Sequence, residues 1–357
     1  MRDIFLPNSL ATGECEVSKS DPVGLHRVLE PPGVLPQAAE RLDTRAEIWP
    51  DEVKVRVERL NLDAASFRQL QRTHADPASI RQAVLDIVGA RGKMQNPETG
   101  SGGMLIGTVE EVGPESPLGL VVGDRIATLV SLTLTPLVIE DGLTNWDGTS
   151  EQVPCDGYAI LFGRSIAAKL PGDLPDGLAL AVMDVCGAPA LTALHVATYD
   201  APVVAVLGAA GKSGSLCCAA ARKAGAAKVI GVVPHQQEAD LLARSDLADE
   251  VVIADARDPL ALREAVTGAG GPAEVTIVCV DIPGCEGGAI LATADGGTVI
   301  FFSMATSFSA AALGAEGLAA DVSMIVGNGY VPGHADHALS LLREVPGVRS
   351  LFEQRAH

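Results

Sequence analysis

One stretch constrains this chain more than any other. In VVAVLGAAGKSGSL, Val203 to Leu216, a run of small and β-branched apolar residues breaks into three glycines, Gly208, Gly211 and Gly214. A triphosphate-binding loop, G-x-x-x-x-G-K-[ST], needs a glycine where Val206 stands, so that pattern fails. The dinucleotide pattern G-x-G-x-x-G, laid on Gly211 and Gly214, finds Ala209 at its first position with Gly208 just before it. Context decides whether such a near match counts. Val203–Leu207 reads as a short buried strand, Ser213 to Ala224 as a helix closed by Gly225, and Lys228–Val233 as a second buried strand. Between a strand and a helix, Gly211 lets backbone approach a diphosphate and Gly214 lets the helix lie close on the strand. The free N–H groups of the helix start then face the phosphates. Gly208, Ala210, Gly211, Lys212, Ser213 and Gly214 are therefore candidate cofactor-binding residues. The bland alternative is a strand-to-helix turn that uses glycine only for tightness.

The rest of the chain is organised in two styles. EVKVRVERL, Glu52 to Leu60, alternates apolar and charged residues as a half-buried strand does. GMLIGTVEEVG at 103–113 and LVVGDRIATLV at 120–130 read as further short strands between glycine turns, the pattern of a small β barrel. Leu174 to Ala197 is helical in period, with Pro189 expected to mark a break. After it come Val203–Leu207, Val229–Val233, Glu250–Ile253, Val275–Val280, Thr298–Ser303 and Val322–Val326, strands alternating with helical segments, which implies a doubly wound parallel sheet. The expected fold class is α/β, with a β-barrel domain over 1–171 and a Rossmann dinucleotide-binding domain over 172–357.

Composition narrows the function classes. A net charge of −19 argues against nucleic acid and anionic membrane surfaces as partners. The amino terminus MRDIFLPNSL lacks the basic flank and long apolar core of a signal peptide, and no apolar run reaches membrane-spanning length. Seven cysteines, Cys15, Cys155, Cys186, Cys217, Cys218, Cys279 and Cys285, contain no C-x-x-C pair and suit reduced, mostly buried thiols in a cytoplasmic protein.

Several stretches carry a resemblance. GTVEEVG, VGDRI, the GAAGKSG turn and AGAAKVIGV are similar to the medium-chain dehydrogenase/reductase superfamily, its quinone-reductase-like branch above all. More narrowly, GLHRVLEPPGVLPQ at 24–37, NLDAASF at 61–67, RGKMQNPETGSGGMLIGTVEEVG at 91–113, GYAILFGRSIAAKLPGDLPDGLALAVMDVCGAPALT at 157–192 and NGYVPGHA at 328–335 resemble the L-erythro-3,5-diaminohexanoate dehydrogenase family. The resemblance spans nearly the whole chain. It implies a GroES-like barrel for the first domain and a small amino-acid substrate. It further implies oxidative deamination with hydride transfer to NAD or NADP, and a homo-oligomer, dimer or tetramer. A quinone or enone reductase of the same fold, and a nucleotide-binding protein without turnover, are the rival readings.

The chain departs from the zinc-dependent members. Cys155 is the one cysteine between residues 16 and 185, and the histidines are scattered, so a tetrahedral nitrogen and sulfur site has no ligand set. His334 and His337 read as the opening of a helix, and no metal is expected. Deamination of that kind instead needs a base, a water-activating group and partners for a carboxylate and an ammonium. Lys93, Gln95, Asn96, Thr99 and Ser101 crowd one glycine-flanked polar stretch. Lys93 can hold a carboxylate or, desolvated, act as base; a solvated loop is the alternative. Asp63 can bind an ammonium or cap a turn. Asp184, in the apolar LALAVMDVCGA, is either a site residue or a buried structural partner. Asp124 and Arg125 read as a turn and a structural pair. Arg27 and Glu30 carry no role that the residues assign. On the cofactor side Ser303 and Thr306 follow a strand at its carboxyl end. Val233, Pro234 and His235 occupy the place where an acidic residue would mark NAD or an arginine NADP, leaving that choice open.

Overall fold

The computed structural model describes residues 20–129 and 131–355. Cys15, the MRDIFLPNSL stretch and the last residue of the strand expected over 120–130 lie outside the described residues. Two compact units are present, one ending at Leu170 and the other starting at Pro171.

The first unit contains β1 (Val28–Glu30), β2 (Arg41–Leu42), β3 (Val53–Leu62), α1 (Ala64–Thr73), α2 (Pro77–Arg91), β4 (Gly103–Val112), β5 (Arg125–Thr128), β6 (Leu137–Ile139), β7 (Gln152–Leu161) and β8 (Ala167–Lys169). Six of these strands form an antiparallel sheet in the order β6-β7-β3-β4-β5-β8. In β3 the even spacing of Val53, Val55 and Val57 sends these side chains to one buried face while Lys54 and Arg56 stay partly exposed. That face packs against Phe67 and Leu70 of α1 and Ile80, Val84 and Val88 of α2 in one core. β5 is shorter than its apolar pattern, because Val121, Val122 and Gly123 form an exposed turn that ends in Asp124. Asp124 and Arg125 are not partners of one another: Asp124 meets Lys169 at 2.8 Å and Arg125 meets Glu58 at 2.8 Å.

The second unit contains α3 (Asp176–Met183), α4 (Gly187–Val196), β9 (Val203–Leu207), α5 (Lys212–Lys223), β10 (Lys228–Val233), α6 (Gln236–Ser245), β11 (Glu250–Ile253), α7 (Pro259–Gly268), β12 (Ala273–Val278), α8 (Glu286–Leu291), β13 (Thr293–Phe301), α9 (Phe308–Leu318), β14 (Val322–Val326), α10 (His334–Glu344) and α11 (Pro346–Arg355). Its six strands are all parallel, in the order β11-β10-β9-β12-β13-β14. This is the doubly wound order, and the chain changes direction between β9 and β12. β9, β10 and β12 are almost continuously buried, as strands covered on both faces must be.

Pro189 does not break the helical stretch. The interruption falls at 184–186, and Pro189 sits in the first turn of α4, where a missing N–H leaves no helix bond unmade. No single helix among the described residues is long and apolar enough to cross a membrane. α3 and α4 pass together by composition but bend by 48° at that interruption, and their apolar residues are largely buried.

Candidate active site

The turn between β9 and α5 is made of backbone. Gly208 has φ +79°, a left-handed conformation that favours glycine, and its N–H and that of Ala209 both donate to the Val232 carbonyl, at 2.9 and 3.2 Å. Gly211 caps α5, its N–H bonded to the Gly208 carbonyl at 2.9 Å. A Cβ at Gly214 would run into that same carbonyl oxygen and lie 2.8 Å from Ala209 Cα, so only glycine lets α5 sit this close to the turn. A Cβ at Gly211 would touch Gly208 O alone, at 3.0 Å, and otherwise meet open space. The outer face of the turn is therefore bare backbone at a helix start. The N–H groups of Lys212, Ser213 and Gly214 there have no intrahelical acceptor, and the positive end of the α5 dipole adds to them. Such a cradle fits a diphosphate.

Beside it, at the carboxyl ends of β9, β10 and β11, a cleft of about 190 Å³ is lined by Gly208, Val233, Pro234, Asp255, Arg257 and Val280 among others. Val233 lines the cleft. His235 does not line the cleft: its Nδ1 accepts the Glu238 N–H at 3.4 Å and caps α6. The polar groups that do line it, Asp255 and Arg257, follow the third strand rather than the second. They pair through Nη2–Oδ2 at 2.8 Å, and the hydrogen bonds from Arg257 pull the exposed Asp255 carboxyl down to about 2. The ADARDP stretch was the available signal, one strand further along than the acidic position of the NAD pattern. Ser303 and Thr306 form a turn after β13. Ser303 Oγ donates to Asp281 Oδ1 at 3.1 Å, and the Thr306 N–H donates to Ser303 O at 3.3 Å.

In the first unit the polar stretch closes around Asp63. Asp63 caps α1 with Oδ1, which accepts the Ala65 and Ser66 N–H groups at 2.9 and 3.4 Å and the Ser101 hydroxyl at 3.0 Å. Ser66 Oγ, buried, lies 2.7 Å from Thr99 Oγ1 and 2.6 Å from Ser101 Oγ, which are 3.0 Å apart. Three hydroxyls and a carboxylate thus form one connected network, with Thr99 exposed to solvent. Asn96 supports it from below. Its Oδ1 accepts the Glu98 and Thr99 N–H groups, and its Nδ2 donates to Gln69 Oε1 at 2.8 Å.

Lys93 faces elsewhere. It is wholly buried, and its Nζ donates to the carbonyls of Pro36 and Gln37 at 2.7 and 3.1 Å. Burial, with a smaller push from Arg91, lowers its ammonium to about 8. Gln95 reaches the same loop, donating to Gln37 O at 3.2 Å while accepting from Arg91 at 2.9 Å. Both side chains stitch 93–95 to 36–37. Asp184 is also corrected: it caps the end of α3 at the bend and is exposed, so the cost of burying a lone carboxylate does not arise.

Arg27 acquires a role that only the fold reveals. Buried with Glu52 and His26, it holds the Glu52 carboxylate through Nε at 2.9 Å and Nη2 at 2.6 Å, and Nη1 donates to the Arg45 carbonyl at 2.8 Å. His26 accepts the Asp21 N–H at Nδ1, so Nε2 donates to Glu52 at 2.8 Å. Burial pushes Glu52 up, but the bonds from His26, Arg27 and the Trp49 N–H outweigh it and hold the carboxyl below its ordinary range. Among the described residues no three His, Cys, Asp or Glu side chains converge on a point that can hold a metal ion.

Comparison with known proteins places these features. Residues 26–171 match the model of the L-erythro-3,5-diaminohexanoate dehydrogenase N-terminal domain. The L-erythro-3,5-diaminohexanoate dehydrogenases of Acetoanaerobium sticklandii and of Fusobacterium nucleatum subsp. nucleatum are each 47% identical to this chain over 338 residues, 93% of this chain and 97% of theirs. In fold, the quinone oxidoreductase from Coxiella burnetii superposes with a TM-score of 0.54 at 16% identity, covering 87% of this chain and 84% of its own.

Proposed function

This chain belongs to the L-erythro-3,5-diaminohexanoate dehydrogenase family, and we propose on that premise that it oxidatively deaminates L-erythro-3,5-diaminohexanoate to 5-amino-3-oxohexanoate and ammonia. The observation that carries the reading is the 47% identity maintained over 93% of the chain. A nicotinamide dinucleotide, when bound, supplies the hydride acceptor. Gly208, Ala210, Gly211, Lys212, Ser213 and Gly214 would hold its diphosphate, and Val233, Asp255 and Arg257 its adenosine end; Ser303 and Thr306 are assigned to the nicotinamide end.

The remaining chemistry falls to the Asp63 network. The substrate ammonium must lose a proton before hydride leaves its carbon. Asp63 Oδ1 is committed to the α1 cap and Ser101, so Oδ2 is the atom that takes the proton. Ser101, 3.0 Å from Oδ1, and Thr99 beyond it hold the carboxylate in place while Oδ2 takes the proton. Loss of hydride leaves an iminium on the substrate, water adds to that carbon, and ammonia departs from it. Asn96 and Gln69 keep Thr99 in place, while Lys93 and Gln95 hold the neighbouring loop rather than acting as base. Incubating purified chain with L-erythro-3,5-diaminohexanoate and NAD or NADP, and following reduced cofactor by absorbance, tests the reading. No reduction with either cofactor removes it.

Cofactor choice turns on Arg257. Its pairing with Asp255 neutralises the cleft and admits NAD, whereas a 2′-phosphate would have to draw Arg257 away. We therefore assign NAD as the preferred cofactor, with NADP accepted. Arg257→Ala should raise KM for NADP about tenfold and leave KM for NAD within about twofold; equal effects on both would refute the assignment. The six free cysteines among the described residues suit a reducing cytoplasm. β14 leaves an edge with Met324 and Val326 exposed, and Phe308 and Leu313 of α9 are exposed as well. Two-fold pairing with a second copy covers such an edge and makes a homo-oligomer, which light scattering would reveal or exclude.

A further inference from the structure

The turn that cradles the diphosphate is touched from the far end of the chain. Arg355, on the last turn of α11, donates from Nη2 to the Ala210 carbonyl at 2.5 Å. The peptide linking Ala210 to Gly211 is thereby held at both ends: its oxygen by Arg355, and its N–H by the Gly208 carbonyl at 2.9 Å. That peptide sets the direction in which the chain enters α5, because Gly211 is the capping residue, extended at φ −70° and ψ 171°.

α11 is anchored well enough to deliver such a contact. Val348, Leu351 and Phe352 are buried, and at its start Gly347 lies so close to the Ser245 carbonyl that a Cβ has no room. Arg355 itself is exposed and makes no ion pair among the described residues, which leaves the rest of its donor fork unbonded. Lys212, at the first position of α5, is likewise exposed and without an ion pair among the described residues. In a chain of net charge −19, two unpaired cations therefore flank the same short turn.

We propose that Arg355 is a positioning residue for the dinucleotide: it fixes the Ala210–Gly211 peptide and lends positive charge to the turn that receives the diphosphate. The proposal rests on the dinucleotide half of the reading above and is independent of the amino-acid substrate. ADP-ribose, which carries the diphosphate without the nicotinamide, is the probe, and adenosine is the control that lacks phosphate. Calorimetry on Arg355→Ala should show ADP-ribose bound about tenfold more weakly, as expected for loss of one charge-assisted contact, with adenosine affinity unchanged. KM for the dinucleotide should rise by the same factor while kcat and KM for the amino acid stay constant, and Arg355→Lys should recover part of the loss. The melting temperature of the ligand-free protein should not move. ADP-ribose affinity within about twofold of wild type overturns the proposal. So does a fall in melting temperature that accompanies equal losses for ADP-ribose and adenosine, because Arg355 is then only scaffold. Wild-type protein that binds ADP-ribose but oxidises no diamino acid refutes the substrate reading and leaves this one standing; wild type that binds no ADP-ribose refutes both.

Discussion

The glycine turn at 208–214 and the polar loop at 93–101 both offer hydrogen-bonding groups to a ligand, but they are built from different materials. In the turn the groups are main-chain amides, and the side chains that matter are the ones missing at Gly208, Gly211 and Gly214. In the loop they are the side chains of Ser66, Thr99, Ser101 and Asp63, and the backbone serves to bring them together. A backbone cradle is intolerant of any added atom and indifferent to most side-chain chemistry around it. A side-chain network behaves in the opposite way, tolerating isosteric change and failing when one functional group is altered.

That contrast can be broken by substitution. The largest effect is expected at Gly214→Val, whose Cβ meets the Gly208 carbonyl and Ala209 Cα at 2.8 Å with no flexible partner to yield. About 3 kcal/mol of stability should be lost, together with cofactor binding. Chemical denaturation and cofactor titration read the two losses; a folded variant with wild-type cofactor affinity would show that the packing is not what shapes the cradle.

Asp63 comes next and sharpens the other side. Asn caps helices about as well as Asp, so Asp63→Asn should melt within a few degrees of wild type while kcat/KM falls about a hundredfold or more. Asp63→Ala should add about 1 kcal/mol of lost stability. If Asp63→Asn retains full activity, the carboxylate is a cap and nothing more.

Lys93 gives the smallest effect on activity and separates support from chemistry. The folded chain releases this proton near pH 8, whereas the unfolded chain keeps it up to the ordinary lysine value, so over that window the unfolded state binds more protons. Stability should therefore rise with pH above about 8 by up to about 1.4 kcal/mol per unit from this group, and be level below it. In Lys93→Met that increment should vanish from urea midpoints measured across the window, with kcat/KM changed less than about tenfold. An unaltered pH slope in the variant would contradict the buried, proton-shedding ammonium.

How much was readable in advance follows the same division. Strands Val203–Leu207 and Lys228–Val233 match their apolar runs because a strand covered on both faces has to be apolar throughout, and the edge strands Glu250–Ile253 and Val322–Val326 match theirs although they are only partly covered. The turn was readable too, since its glycines serve local geometry. The hydroxyl network was only half visible: Thr99 and Ser101 announce themselves as polar density, but Ser66 stands 35 residues from Ser101 and joins it only through packing. The same holds for Arg27, whose partner Glu52 lies 25 residues away. Pro189 misled because a proline early in a helix and a proline that ends one look alike until the first turn is located. Asp184 misled because apolar neighbours in sequence do not specify which face of a bent helix pair meets solvent.

One carbonyl carries more than its share of this. Val232 O receives amides from both Gly208 and Ala209, so the last peptide of β10 is the hinge-pin on which the cradle hangs. Rebuilding Val233 or Pro234 to exchange one coenzyme for the other would tug that oxygen. Engineers of this scaffold should thus find selectivity and grip shifting together when they work on the second strand, and should gain independent control by working after the third.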